Sequence, residues 1–220
     1  LADHHRAAGR RVKVVDVRDV YERHGFGIVD PAAIRAYVAE ARARGVRHVL
    51  LVGGDTYDYL NHAHPTAMSF IPTLYERTSS VVSHAPVDAR LADGDGDGVP
   101  DVAIGRLPVK TTAELADLVA KTLGYAAKPY VRTALFASDA PDASISFADL
   151  SSQLVGLLPD GWRVARSDIE VDGVATARAR LIESVNEGVA LTSFVGHSGP
   201  TEWTFSGLFS SADARALANA

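Results

Sequence analysis

Short β-branched and apolar runs alternate along this chain with segments whose apolar residues recur every three to four positions. The runs are Val12–Val17 (VKVVDV), Val49–Val52 (VLLV), Val102–Ile104, Thr133–Ala137, Trp162–Ala165 and Val189–Val195 (VALTSFV). A further short strand is expected near Phe70–Tyr75. Runs of this length read as strands and the segments between them as helices. Asp30-Pro31 is an N-cap with proline at the first helical position, and Ile34, Val38 and Ala41 follow at helical spacing up to Gly45. Thr111/Thr112 cap a helix through Leu115, Leu118, Val119 and Leu123, and Ser210/Ser211 cap the last one. Phe147–Leu158 and Val174–Asn186 have helical periodicity, and Leu1–Gly9 reads as a helix closed by glycine. Parallel strands need a crossover long enough to hold a helix. The alternation therefore predicts an α/β protein with a mostly parallel sheet flanked by helices. Lys128-Pro129-Tyr130 reads as a short linker, dividing the chain into subdomains 1–128 and 129–220.

Composition narrows the function classes. The 220 residues are 47% apolar and 22% charged, ordinary values for a globular chain. A net charge of −5 leaves no basic footprint for nucleic acid. No apolar run reaches the ~18 residues of a membrane-spanning helix. The chain has no cysteine, so it carries neither a disulfide nor a thiolate ligand nor a thiol nucleophile of its own.

Two segments can carry chemistry. The run Val189–Val195 leads directly into Gly196-His197-Ser198-Gly199. In open α/β sheets functional groups gather at the carboxyl ends of strands, and an imidazole there suits proton transfer near neutral pH. Asp139 follows the run Thr133–Ala137 in the same way and can accept the other imidazole N–H if the two strands are neighbours; the alternative reading is a turn aspartate. The second segment is Asp93-Gly94-Asp95-Gly96-Asp97-Gly98-Val99-Pro100-Asp101. Its alternating carboxylates, with glycines to turn the chain, match the early ligands of a calcium loop. Ile104 stands where a twelfth-position acid is expected, so Asp93, Asp95, Asp97 and Asp101 need a ligand from elsewhere, with Asp88 a candidate. The bland alternative is an acidic loop without an ion. His62, His64 and His84 include a His-x-His spacing that is common by chance, and no further ligand pattern accompanies it. Gly53-Gly54-Asp55 lacks the spacing of a phosphate-binding loop, and no G-x-S-x-G elbow of an α/β hydrolase is present.

Four ordered stretches resemble the gingipain-like cysteine peptidases: VRDVYERHGFGIVDPAAIRAYVAE with HVLLVGGDTYDY, GDGDGVPDVAIGRLPVKTTAEL, FASDAPDASISFADLSSQLVGLLPDGW and ALTSFVGHSGPTEW. The resemblance spans nearly the whole chain. It implies a caspase-like fold of two α/β subdomains, a peptide or protein substrate, and hydrolysis by a cysteine–histidine dyad. It makes His197 the catalytic histidine, Asp139 its supporting acid, and the Ser198 N–H an oxyanion donor. It places Phe147 and Trp203 at substrate-binding positions. Where some relatives carry an arginine-selecting acid, Phe147 stands here, which argues against basic-residue specificity. The family's His-Gly-Ser is here His197-Ser198-Gly199. The resemblance puts the cysteine shortly after Ala220, in the remainder of a parent polypeptide, so the fragment is expected to be inactive alone. Extracellular or cell-surface localisation follows from the family and the calcium loop. The competing expectation is a non-catalytic, calcium-stabilised binding module of a larger extracellular protein.

Overall fold

Two carboxylates start the long helices of the first half. Asp16 accepts from the Arg18 N–H at 2.9 Å and Asp30 from the Ala32 N–H at 2.8 Å, each satisfying a helix donor that has no partner within its own helix. In the computed structural model, which describes residues 1–63, 69–78, 83–126, 131–143 and 145–219, these caps begin two successive helices. After a short α1 (Ala2–Ala7) come α2 (Val17–Gly25) and α3 (Pro31–Ala43). The expected strand Val12–Val17 is therefore a misreading. Val17 is the first residue of α2, and residues 12–16 form no strand. The β-branched preference loses because Asp16 caps a helix there and Val14, 71% exposed, has no apolar surface to cover it.

The chain divides into two units, Leu1–Ala127 and Lys128–Ala220. In the first, β1 (His48–Val52) pairs in parallel with β4 (Ala103–Leu107), His48 opposite Ala103. Between them β2 (Tyr75–Arg77) and β3 (His84–Pro86) form a small antiparallel pair, so the strand expected at Phe70–Tyr75 begins only at its last residue. The α4 helix (Thr112–Ala126) closes the unit, the Thr111 hydroxyl accepting from the Glu114 N–H at 3.1 Å. Val20, Tyr21, Ile34, Val38, Leu51 and Val102 form the core, joining α2 and α3 to the sheet.

The second unit is a three-stranded parallel sheet in the order β6-β5-β7, with β5 (Thr133–Ser138) central. Every residue of β5 is buried, which is why its sequence TALFAS shows no polar alternation. The crossovers are α5 (Phe147–Val155), leading to β6 (Arg163–Asp168), and α6 (Ile169–Glu187), leading to β7 (Leu191–Val195). Gly173, at φ 73°, breaks the helical path of α6, so regular periodicity starts at Val174. Then β8 (Glu202–Trp203) and β9 (Phe209–Ser210) form a two-residue hairpin before α7 (Ser211–Ala216). Among the described residues the strands pair within two parallel sheets and two small antiparallel ones. The linker Lys128-Pro129-Tyr130 and His64 lie outside the described residues.

Candidate functional site

Parallel pairing of β5 with β7 sets Ser138 opposite Val195, so the residues that follow both strands emerge side by side. The Asp139 N–H donates to the Val195 carbonyl at 3.0 Å and extends the ladder by one position. Close approach is possible because residue 196 is glycine. A Cβ there would lie 2.9 Å from Phe194 Cζ and still nearer the Asp139 side chain. Asp139 is buried, and its carboxylate is fixed from two sides. Oδ1 accepts from the Ala140 N–H at 2.8 Å, and Oδ2 accepts from the His197 N–H at 3.2 Å. The same Oδ2 lies 3.5 Å from His197 Nδ1.

Three further groups surround the imidazole. Asp142 Oδ2 lies 3.5 Å from Nε2. Phe147, at the first position of α5, meets the ring edge-on at a centroid distance of 5.3 Å. Phe205 lies nearly parallel to it at 6.4 Å. The histidine side chain is 48% exposed, so one face of this assembly is open to solvent.

After the histidine the chain turns into a narrow ladder. The Gly199 N–H donates to the Glu202 carbonyl at 3.0 Å, and the Thr204 N–H to the His197 carbonyl at 2.9 Å. These flanking bonds make the Ser198–Trp203 bridge without using the Ser198 N–H, which is left to face outward on an exposed residue. Trp203 stacks on Phe194 at 4.8 Å and 8° and also touches Phe209, so its ring braces the end of β7. Behind it, the Arg178 guanidinium from α6 donates to the Gly207 carbonyl at 3.1 Å and pairs with Asp213, tying down the loop that carries Phe205.

Sequence reading missed Asp142 and Phe205. Asp142 reads as one more turn aspartate, and only the Asp142–Ile145 bridge brings it back to the imidazole. Phe205 sits in an irregular TFSG turn with no periodicity to mark it. An aromatic residue 77% exposed is the signal that identifies it once the fold is known.

In the other unit the acidic loop folds around its own backbone. Asp93 accepts from the Gly96 and Gly98 N–H groups at 2.7 and 3.1 Å and from Arg90 Nη1 at 2.8 Å. These donors, the Arg90 guanidinium foremost, hold its carboxyl below the usual carboxylate range. Asp93, Asp95 and Asp97 each offer an oxygen within 4.8 Å of the others. Asp101 is directed elsewhere, to the Gly94 N–H at 2.9 Å and to Arg42 at 2.7 Å. Asp88, the candidate extra ligand, is held by Arg106 through two bonds of 2.8 and 2.7 Å. Asp55, at the carboxyl end of β1, accepts from Ser69 Oγ at 2.7 Å and Tyr75 OH at 2.6 Å. Those bonds, with the Thr73 N–H at 3.3 Å, engage both of its oxygens.

The second unit is thus a parallel α/β unit that brings an imidazole and a carboxylate together at the carboxyl ends of adjoining strands, where functional groups of open sheets gather. The model of peptidase family C25 matches residues 1–220, and the chain belongs to this family, the gingipain family of cysteine peptidases. No curated protein and no solved structure matches it.

Proposed function

We propose that the second unit supplies the histidine half of a cysteine–histidine peptidase centre. The observation that carries this reading is His197 Nδ1 facing the buried, doubly anchored Asp139 at the ends of paired strands, in a chain of peptidase family C25. With Nδ1 facing the buried Asp139, Nε2, beside the exposed and displaceable Asp142, is the nitrogen for chemistry. A thiolate attacks the scissile carbonyl, and the imidazolium Nε2–H passes its proton to the departing amine. The imidazole then takes a proton from the water that hydrolyses the acyl-enzyme, and the thiolate is regenerated. The Ser198 N–H, unused by the Ser198–Trp203 bridge, would donate to the oxyanion. The chain has no cysteine, so this reading requires a thiol supplied from outside these 220 residues, and the chain alone is expected to be inactive. Phe147 and Phe205 form the walls next to the imidazole and favour an apolar side chain beside the scissile bond.

The test uses the natural polypeptide that contains this chain. A strand ending in cysteine is expected soon after residue 220, and an electrophilic peptide ketone should label that cysteine. His197→Ala should lower peptide cleavage at least ~100-fold with the fold retained. If no cysteine follows, or the histidine variant cleaves at the native rate, the peptidase reading fails and a binding module is left.

We also propose a structural calcium ion at Asp93, Asp95 and Asp97, supported by their converging oxygens. Asp88, Asp93 and Asp101 are each paired with an arginine, so Asp93 would have to exchange Arg90 for the ion, with Asp95, Asp97, loop carbonyls and water completing the shell. So sparse a ligand set suits the high calcium concentration outside cells, consistent with a secreted protein. Calcium should raise the melting temperature of the chain and a chelator reverse it, whereas Asp95→Asn/Asp97→Asn should not respond. An equal response in the variant would refute the site.

A further inference from the structure

We propose that Asp142 is a second positioning carboxylate of the His197 imidazole, acting on Nε2, the nitrogen opposite the one that faces Asp139. The inference rests on the reading of His197 given above for its kinetic meaning but not for its geometry. The two aspartates lie at equal distance from the ring, 3.5 Å from Nδ1 and 3.5 Å from Nε2, and differ in almost everything else. Asp139 is 8% exposed by side chain and anchored by two backbone N–H groups. Asp142 is 56% exposed. Its backbone is fixed instead, by reciprocal bonds with Ile145 of 3.0 and 2.7 Å around a turn in which Ala143 takes a left-handed φ of 44°. That turn leads directly into Ser146, whose hydroxyl caps α5 at the Asp149 N–H and donates to Glu170.

The consequence follows from the donors an imidazole has. A neutral ring carries one N–H and can satisfy one carboxylate, while a ring protonated at both nitrogens satisfies two. Phe147 lies edge-on to the ring and Phe205 nearly parallel to it, and in this orientation each nitrogen faces one carboxylate. Asp139 is immobile and sets the orientation. Asp142 is the replaceable partner, because it occupies the position at Nε2 that a leaving amine or a thiolate must take. It faces Nε2 when the site is empty and moves into solvent, where its exposure leaves room, when substrate arrives.

The experiment is long-range proton–nitrogen correlation NMR on the chain itself, which resolves Nδ1 and Nε2 of each of the eight histidines. Asp142→Ala should shift the His197 Nε2 resonance more than Nδ1 and leave the other histidines in place. Asp142→Glu should return Nε2 toward its native position, and Asp139→Ala should move chiefly Nδ1. Asp142→Asn keeps the shape of the turn and should give the same Nε2 shift as alanine. An unchanged Nε2 resonance in Asp142→Asn overturns the proposal. The measurement needs no thiol and no cleavage. A shifted Nε2 in a polypeptide without peptidase activity would therefore sink the proposed function and leave this assignment standing.

Discussion

Gly196→Ala is the substitution that tests most directly how the strand ends build the site. The added methyl would lie 2.9 Å from Phe194 Cζ and 3.3 Å from Asp139 Cγ, with the Asp139 Cβ closer than either. Neither neighbour can retreat. Phe194 is stacked on Trp203, and Asp139 is bound through its N–H to Val195, the residue next to the substitution. Relief requires spreading β5 from β7 at their carboxyl ends, where Asp139 and His197 meet. Overpacking of this kind costs about 1–3 kcal/mol. For a unit of this size that lowers Tm by roughly 5–20 °C. Thermal unfolding followed by tryptophan fluorescence and circular dichroism reads the effect. Gly199→Ala is the control, since its Cβ would come no nearer than 3.7 Å to the flexible Glu202 side chain. Equal Tm values for Gly196→Ala and Gly199→Ala would refute the reasoning, because they would mean that the strand ends are not closely packed.

Three further outcomes are expected. Arg178 and then the Ser210 hydroxyl hold the Asp213 carboxyl down to about 2, below its ordinary 3.8, so its contribution is complete above about pH 4 and is lost as pH falls toward 2. Solvent screening around the half-exposed Arg178 limits that contribution to about 1 kcal/mol; Asp213→Asn should flatten the acid limb of the stability profile by this amount in denaturant titrations. Burial pushes the Asp88 carboxyl up, but Arg106 and Thr73 together more than offset this and hold it below the usual range. Arg106 also donates to the Gly53 and Ile71 carbonyls, both at 2.7 Å, so Arg106→Met should cost about 3 kcal/mol in denaturant unfolding and Arg106→Lys less. Leu181, fully buried on α6 beneath the sheet, should lose about 2–5 kcal/mol on replacement by alanine, measured by the same unfolding titration.

The parts of the fold that were legible in the sequence are those where local chemistry and tertiary packing agree. Asp30-Pro31 starts α3, and the fully buried TALFAS strand and the half-exposed LTSFV strand both lie where their apolar runs put them. Val12–Val17 shows the opposite case. Its residues favour a strand locally, but a cap at Asp16 and the absence of an apolar face for Val14 decide otherwise, and neither is a property of the six residues taken alone. The start of β2 was blurred for a related reason: Ile71 and Leu74 are drawn toward the core as irregular chain, so their apolar character marks burial without strand pairing.

The site divides along the same line. His197 and Asp139 were readable because each follows a strand, and strand ends in a parallel sheet point in one direction. Their juxtaposition needed one more fact, the central place of β5 beside β7, which no local pattern encodes. Asp142 and Phe205 depend on that fact twice over. Each sits on a turn whose path is set by bonds beyond its own residue, to Ile145 three positions on for one and to Arg178 on α6 for the other. A turn residue becomes a site residue only through such a path. The buried carboxylate that fixes the imidazole was therefore accessible to pattern, and the exposed groups that complete its surroundings were not. The exposed groups are also the ones with room to move, so on the proposed function the half of the site that would adjust to a substrate is the half that sequence leaves unmarked.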